Sequence, residues 1–187
     1  MKVILASKSP RRKELIKLLN IKASSIPSHI DEVIDYNLSH EEMAMDLALQ
    51  KATSVFKKHQ EDLVLGFDTL VINKDEILGK PKDKSEAKKY LQVLSGKTHR
   101  VVTGCSIIKK YYSSSFYSSA WVKFYQMSDK EIDEYIDTNE PFDKAGAYGI
   151  QGHGAKYIES INGDYYAVVG FPLAKIYQEL KKFIKGF

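Results

Sequence analysis

Leu63-Val64-Leu65-Gly66-Phe67-Asp68-Thr69-Leu70-Val71-Ile72 is the stretch that decides the fold class. Five mostly apolar residues run into a carboxylate, and three more apolar residues follow a β-branched threonine. Bounded by the tight-turn segment Asn73 to Glu76, the run predicts a buried strand entering Asp68-Thr69. A carboxylate at the C-terminal end of a core strand commonly faces a cleft in α/β proteins. Asp68 is therefore a candidate site residue, although a strand-end turn residue reads the same way.

Helices flank this strand in sequence. Upstream, Ser39 and Glu42 form a capping box that opens a helix running to about Lys57 through Met43, Leu47 and Ala48. Earlier still, Val3-Ile4-Leu5-Ala6 predicts a short buried strand, and Ser9-Pro10 starts a helix with serine as N-cap and proline at the first helical position. Leu15, Leu18 and Leu19 place an apolar stripe on it. Downstream, Asp83 and Glu86 start a helix that ends near Ser95-Gly96, and His99 to Ile108 and Ser118 to Tyr125 have strand character. The stretch Ser113 to Ser119 carries two aromatics and predicts a hairpin turn. A second capping box, Ser128 with Glu131, opens a helix through Ile132, Tyr135 and Ile136. Tyr157-Ile158, Tyr165 to Val169 and a final helix from Pro172 complete the chain. Strands alternate with helices and antiparallel hairpins are inserted, which predicts an α/β fold with a mixed sheet.

The chain of 187 residues suffices for one sizeable domain, or two small lobes sharing a core, and is read as a single domain over 1–187. Its lone cysteine, Cys105, has apolar neighbours and no internal disulfide partner, which fits a buried thiol in a reducing compartment. The apolar run at the N-terminus is too short for a signal sequence, and no segment reaches the roughly 18 apolar residues of a membrane span. A cytoplasmic protein without a membrane partner is expected. The net charge of +4 permits an anionic partner, but the basic residues are dispersed and no nucleic-acid motif occurs. Lys181, Lys182 and Lys185 around Phe183 and Ile184 read as an amphipathic last helix.

Four constellations carry chemistry. Ala6-Ser7-Lys8-Ser9-Pro10-Arg11-Arg12 sets hydroxyls and cations where a strand hands over to a helix N-terminus, a place suited to phosphate. The helix dipole contributes only about 0.3–1 kcal/mol there, and each charge-assisted bond from arginine about 1.5–3 kcal/mol. A well-capped surface helix is the alternative reading. Asp31-Glu32 with Asp68 forms a carboxylate set able to hold Mg²⁺ beside substrate phosphates. In Gly79-Lys80-Pro81 a backbone-restricted lysine could aim its ammonium at a phosphate, though no P-loop is present. The fourth, Asp143 to Gly152, is the most informative. Four glycines between Gly146 and Gly154 allow close backbone approach and frame Lys144 and Gln151, whose amide can both donate to and accept from a base edge. Ala145, Tyr148 and Ile150 predict that this loop is ordered. The five histidines show no metal-ligand spacing, and no nucleophile elbow or catalytic triad is present.

These segments, in this order, resemble the Maf family of nucleotide pyrophosphatases from Leu5 to Leu180. The match includes Ala-Ser-x-Ser-Pro-Arg-Arg, Asp31-Glu32, Lys51-Ala52, Gly66-x-Asp68-Thr69, Leu78 to Pro81 and Leu94 to His99. It continues through Thr103-Gly104, the Lys144 to Gly152 loop and Val169-Gly170-x-Pro172-Leu173. The resemblance implies an elongated mixed β-sheet with flanking helices, two lobes around a central cleft, and a homodimer. It also implies hydrolysis of a nucleoside triphosphate between the α- and β-phosphates, dependent on a divalent metal cation (Mg²⁺, Mn²⁺ or Co²⁺). By position, Asp68 would accept a proton from water and help Glu32 hold the metal. Arg11, Thr69 and Gln151 would govern substrate choice, and Ser7, Arg12, Lys51, Lys80 and Lys144 would bind phosphates or the base. The Lys-Ala-Gly-Ala-Tyr-Gly-Ile-Gln-Gly loop looks like the branch acting on dTTP and UTP, and the family has been linked to nucleotide-pool cleansing and division-septum inhibition. Phe67 departs from the family's usual alanine before Asp-Thr, and Ala120-Trp121-Val122 departs from a threonine-rich strand. The rival class is a binding module: a nucleotide sensor that does not hydrolyse, or a basic nucleic-acid-binding domain.

Overall fold

In the computed structural model, which describes residues 2–183, the chain forms a mixed sheet with helices along it. The elements run β1 (Val3–Leu5), α1 (Pro10–Leu15), β2 (Ala23–Ser25), α2 (His40–Phe56), β3 (Leu63–Asn73) and β4 (Glu76–Leu78). There follow α3 (Lys84–Leu94), β5 (Thr98–Lys109), β6 (Tyr112–Phe124), α4 (Asp129–Asp137), β7 (Ile158–Gly163), α5 (Tyr165–Val169) and α6 (Leu173–Leu180). The strand order is β2-β1-β3-β5-β6-β7, with β4 added to β3. β1 is parallel to both β2 and β3, whereas β3–β4 and β6–β7 are antiparallel. The mixed α/β class expected from the sequence is the one observed.

The chain divides into two compact units. The first is built from the segments through Asp68, Thr103–Ser118 and from Gly170 onward, the second from Thr69–Val102 and Ser119–Val169. Burial along β3 marks the change of unit. Leu63 to Phe67 and Leu70 to Ile72 are buried, and Asp68 and Thr69 between them are half-buried. Asp68 therefore lies in the middle of an eleven-residue strand, not at its end as the sequence suggests.

In the first unit α2 lies directly on the sheet backbone. A Cβ at Gly66 would sit 2.1 Å from the Ala48 carbonyl oxygen, and one at Gly104 would sit 2.1 Å from that of Ala44. Ala44, Ala48 and Ala52, one turn apart, are fully buried and supply the facing ridge. Only glycine on the strands and alanine on the helix permit so close an approach. This contact fixes the height at which Lys51 and Asp68, the neighbours of Ala52 and Phe67, meet. Ile4, Ala6, Val55, Val64 and Ile108 complete the core on this side.

The second unit packs α3 and α4 together around Leu91, Leu94, Ile132, Tyr135, Phe124 and Tyr148. Both capping boxes form, Ser39 with Glu42 and Ser128 with Glu131. Asp83 caps α3.

Three local expectations are corrected. The serines from Ser113 to Ser119 lie within β6, and the hairpin turn is Lys110-Tyr111, with Tyr111 at φ 65°. Burial alternates along the second half of β6, with Ser118, Ala120, Val122 and Phe124 inward and Trp121 and Lys123 outward, so a small hydroxyl fills an inward place. The helix after Ser9-Pro10 is only six residues long and continues as a 3₁₀ turn, Ile16–Leu19. Its buried residues are Leu15 and Ile16, and Leu18 is exposed. Tyr165–Val169 is a short α-helix, and α6 ends at Leu180 with Lys181–Phe183 in a turn. The Ile184 and Lys185 part of the amphipathic-helix reading lies outside the described residues.

Candidate active site

Strand β1 delivers Ser7 to the start of α1, where the Ser9 hydroxyl accepts from the Arg12 N–H at 3.5 Å. The Ser7 hydroxyl is buried and accepts from the Ser9 N–H at 3.2 Å and from the Arg12 guanidinium at 3.0 Å. Arg12 also donates its Nε–H to the Gly170 carbonyl at 2.8 Å and lies over the Phe67 ring, 5.0 Å from its centroid. Phe67 is fully buried against Phe171, with ring centroids 5.2 Å apart. Phe67 is thus the platform on which this arginine rests. Burial lowers the Arg12 guanidinium to about 10, with the negative charge of Asp68 acting against the shift, so it is cationic at neutral pH. Arg11 is half-buried beside it on α1.

Lys51, on α2, extends its ammonium between two carboxylates. It donates to Asp68 Oδ1 and pairs with Glu32 Oε1 at 3.0 Å. The Lys51 and Asp68 side chains are only about 15% exposed, and that of Glu32 is 38% exposed. Glu32 sits on a segment without regular structure, which α2 holds by a side chain that mimics a strand. Gln50 accepts the Val33 N–H at 3.0 Å and donates to the Val33 carbonyl at 2.8 Å, and Asp46 steadies the same amide at 2.6 Å. Ser7, Arg12, Glu32, Lys51 and Asp68 therefore belong to one unit and are placed by four segments: the β1–α1 junction, the irregular segment before α2, α2 and β3. Counted formally, the central trio of two carboxylates and one ammonium carries one net negative charge.

In the second unit Lys144 is largely buried and its ammonium is held within its own turn, donating to the Glu140 carbonyl at 2.8 Å and to Asp143 at 2.5 Å. Lys80 is exposed on the segment after β4, and its neighbour Gly79 accepts the Gly146 N–H at 3.0 Å. The Gly-Lys-Pro turn and the glycine loop are thereby tied to each other. Gly146 and Ala147 both adopt positive φ, and Gly146 approaches Val71 so closely that a Cβ would lie 2.7 Å from its Cγ1. Gln151 is exposed, and Thr69 is half-buried on β3.

The loop is ordered, as its composition predicts. Its anchors, Tyr135 and Glu140, are residues that sequence reasoning passed over as functional. Gln50 was passed over too. All three act on backbone atoms, and a backbone partner leaves no trace in residue identity. A sequence signal for Glu140 is the Glu140-Pro141 pair, three residues past the end of α4.

The family model described as Maf-like protein matches residues 2–183. The chain belongs to the Maf family. It is similar to a dTTP/UTP pyrophosphatase of Bacillus cytotoxicus, 51% identical over 185 residues that cover 99% of this chain and 97% of the relative. A dTTP/UTP pyrophosphatase of Bacillus cereus is 48% identical over 182 residues, covering 97% and 95%. Among solved structures, a HAM1 protein from Coxiella burnetii aligns with a TM-score of 0.52 at 13% identity, covering 97% of each chain. The Staphylococcus aureus Ham1 protein aligns at 0.50 and 17% identity, covering 98% of this chain and 91% of that one. At such identities these structures share the fold of this Maf-family chain and nothing finer.

Proposed function

We propose that this chain is a nucleoside triphosphate pyrophosphatase that hydrolyses dTTP and UTP to the monophosphate and pyrophosphate, with residues 1–187 acting as one functional domain. The observation that carries the reading is the trio Glu32–Lys51–Asp68 beside the anchored Arg12 and the Ser7 hydroxyl. The names of the relatives at about 50% identity point to the same reaction and the same two nucleotides.

The residues fit a divalent cation of the hard class. Two carboxylates already converge on one cationic group, all the donors are oxygens, and Mg²⁺ or Mn²⁺ is typically held by one or two carboxylates with substrate phosphates. Among the described residues no third His, Cys, Asp or Glu joins them. Glu32 and Asp68 would hold the ion, which when bound would neutralise phosphate charge. The remaining chemistry belongs to the protein. Arg12, fixed by Ser7, Gly170 and Phe67, offers a guanidinium whose orientation needs no rearrangement when the triphosphate arrives. Lys51 carries a second positive charge at the same place. Asp68 takes the proton of the water that attacks the α-phosphorus, and pyrophosphate leaves. Arg11, Thr69, Lys80, Lys144 and Gln151 contribute to holding the nucleotide and choosing its base, a role supported by the family resemblance.

The test is pyrophosphate release from dTTP, UTP, CTP and GTP with Mg²⁺ or Mn²⁺, beside Asp68→Asn. Release from dTTP and UTP that falls at least about 10³-fold in a folded Asp68→Asn supports the assignment, since removing a base or a metal ligand forfeits several kcal/mol of barrier lowering. Near-normal turnover in that variant removes Asp68 from the mechanism. Binding of dTTP without release from any triphosphate makes the protein a nucleotide sensor.

A further inference from the structure

Outside the trio, a second polar arrangement surrounds Glu140. This residue follows α4, after Asn139 has closed the helix in the left-handed conformation. Its Oε2 accepts the His153 N–H at 2.7 Å, and its Oε1 accepts the Gly154 N–H at 3.2 Å and the Tyr135 hydroxyl at 2.8 Å. The Tyr135 oxygen in turn accepts the Gly149 N–H at 2.9 Å. The Glu140 backbone carbonyl holds the Lys144 ammonium. One residue thus secures both ends of the loop, its lysine through the carbonyl and its glycine half through the carboxylate.

The glycines follow from the same arrangement. A Cβ at Gly152 would lie 2.0 Å from Glu140 Oε2, one at Gly149 would lie 2.7 Å from Oε1, and one at Gly154 would lie 2.7 Å from the Tyr135 oxygen. Two of the loop's glycines therefore leave room for the backbone to wrap this carboxylate, and Gly154 leaves room for the Tyr135 hydroxyl bound to it. Gln151 stands between Gly149 and Gly152, at the crown of the wrapped segment.

We infer that Glu140, with Tyr135, is a positioning residue for nucleotide recognition: it holds the loop in the conformation that presents Lys144 and Gln151 together. The inference rests on the proposed pyrophosphatase function and on the recognition role given there to this loop. Burial alone would raise the Glu140 carboxyl, but the N–H and O–H donors around it and the charge of Lys144 hold it below the usual carboxylate range. At neutral pH it is an acceptor at both oxygens. Glu140→Gln replaces one acceptor by an NH₂ group, which meets backbone N–H donors head-on.

The experiment uses the full chain as wild type, Glu140→Gln and the milder Tyr135→Phe. Amide hydrogen exchange at residues 149–154 is read without ligand, binding of α,β-imido-dTTP is titrated, and steady-state kinetics follow on dTTP and GTP. Exchange at 149–154 is expected to accelerate at least 10-fold in Glu140→Gln, with affinity for the analogue and KM for dTTP weakened about 10-fold or more. kcat should change less than 3-fold and the preference for dTTP over GTP should narrow. Tyr135→Phe should show the same pattern at about 3-fold. Unchanged exchange would overturn the clamp. Faster exchange with unchanged affinity, KM and preference would leave Glu140 a purely structural residue and overturn the positioning role. Should wild type release no pyrophosphate, the proposed reaction fails, and exchange and analogue binding still judge Glu140.

Discussion

At the scale of single residues, Lys51 is the most consequential placement. Two carboxylates that would otherwise repel each other share its ammonium, so the protein supplies its own cation where the metal is proposed to bind. Lys51→Met deletes that cation and leaves Glu32 and Asp68 facing each other. Two effects of opposite sign are expected. Mn²⁺ alone, followed by its paramagnetic relaxation, should bind about tenfold tighter, a gain of about 1.4 kcal/mol, because the pair loses its internal competitor. kcat/KM for dTTP should fall at least about 100-fold, because the triphosphate loses a charge-assisted donor worth about 1.5–3 kcal/mol together with the positioning that depends on it. Unchanged Mn²⁺ affinity would show that the three groups do not share one cation site. Asp68 was legible because a charged residue interrupts an apolar strand. The meeting of Lys51 with Glu32 and Asp68 was not legible from spacing, since the three lie on an irregular segment, a helix and a strand. Glu140 was legible least of all, because its partners are N–H groups that every residue but proline carries.

At the scale of elements, the seating of α2 on β3 and β5 depends on two glycines. Gly66→Ala would drive a methyl carbon to within 2.1 Å of the Ala48 carbonyl and 2.8 Å of the Ala52 nitrogen, so helix and strand must part. Overpacking commonly costs about 1–3 kcal/mol, and a clash against rigid backbone belongs at or above the top of that range. We expect the thermal midpoint to fall by about 10 °C or more, with activity lost alongside because Lys51 moves away from Asp68. Gly79→Ala is the control. A Cβ there meets nothing within 4 Å, and the midpoint should move by less than about 2 °C. A mild Gly66→Ala would mean that α2 can slide at little cost. The helices were readable because their starts are encoded locally, as Ser39 with Glu42, Asp83, and Ser128 with Glu131 all demonstrate. The hairpin between β5 and β6 was misread for the opposite reason. Serines are turn formers by propensity, but here Ser118 occupies an inward place, Ser115 hydrogen-bonds Ser106 at 3.1 Å, and Lys110-Tyr111 takes the turn. Sheet context overrode local preference.

At the scale of the whole molecule, stability should depend on pH in a window set by one buried imidazole. His99 is 1% exposed, edge-on to Phe124 and Tyr148, with Nε2 at 2.8 Å from the Tyr148 hydroxyl. Nδ1 has no hydrogen-bond partner among the described residues. Burial lowers its pKa from 6.5 to about 4. The unfolded chain therefore binds a proton between these two values while the folded chain does not, and stability must rise with pH there. The contribution is fully present above pH 6.5 and is lost as the pH falls towards 4, amounting to about 3 kcal/mol at 1.36 kcal/mol per unit. Glu42, Glu86, Glu131 and Glu140 are all held below their ordinary values, so their contribution is present above about pH 4.5 and is lost only below it. The two windows are separable. Urea titrations at pH 7.5, 6, 5 and 4.5 should show wild type losing stability steadily over a range above the one in which those four glutamates lose their contribution. His99→Gln keeps an acceptor for the Tyr148 hydroxyl and has nothing to titrate. It should start less stable at pH 7.5 and lose much less between 7.5 and 4.5, so the two proteins converge as the pH falls. Parallel curves would mean that the imidazole is reached by water or by a counter-charge in the folded state, and that the acid sensitivity of the molecule arises from its surface carboxylates instead.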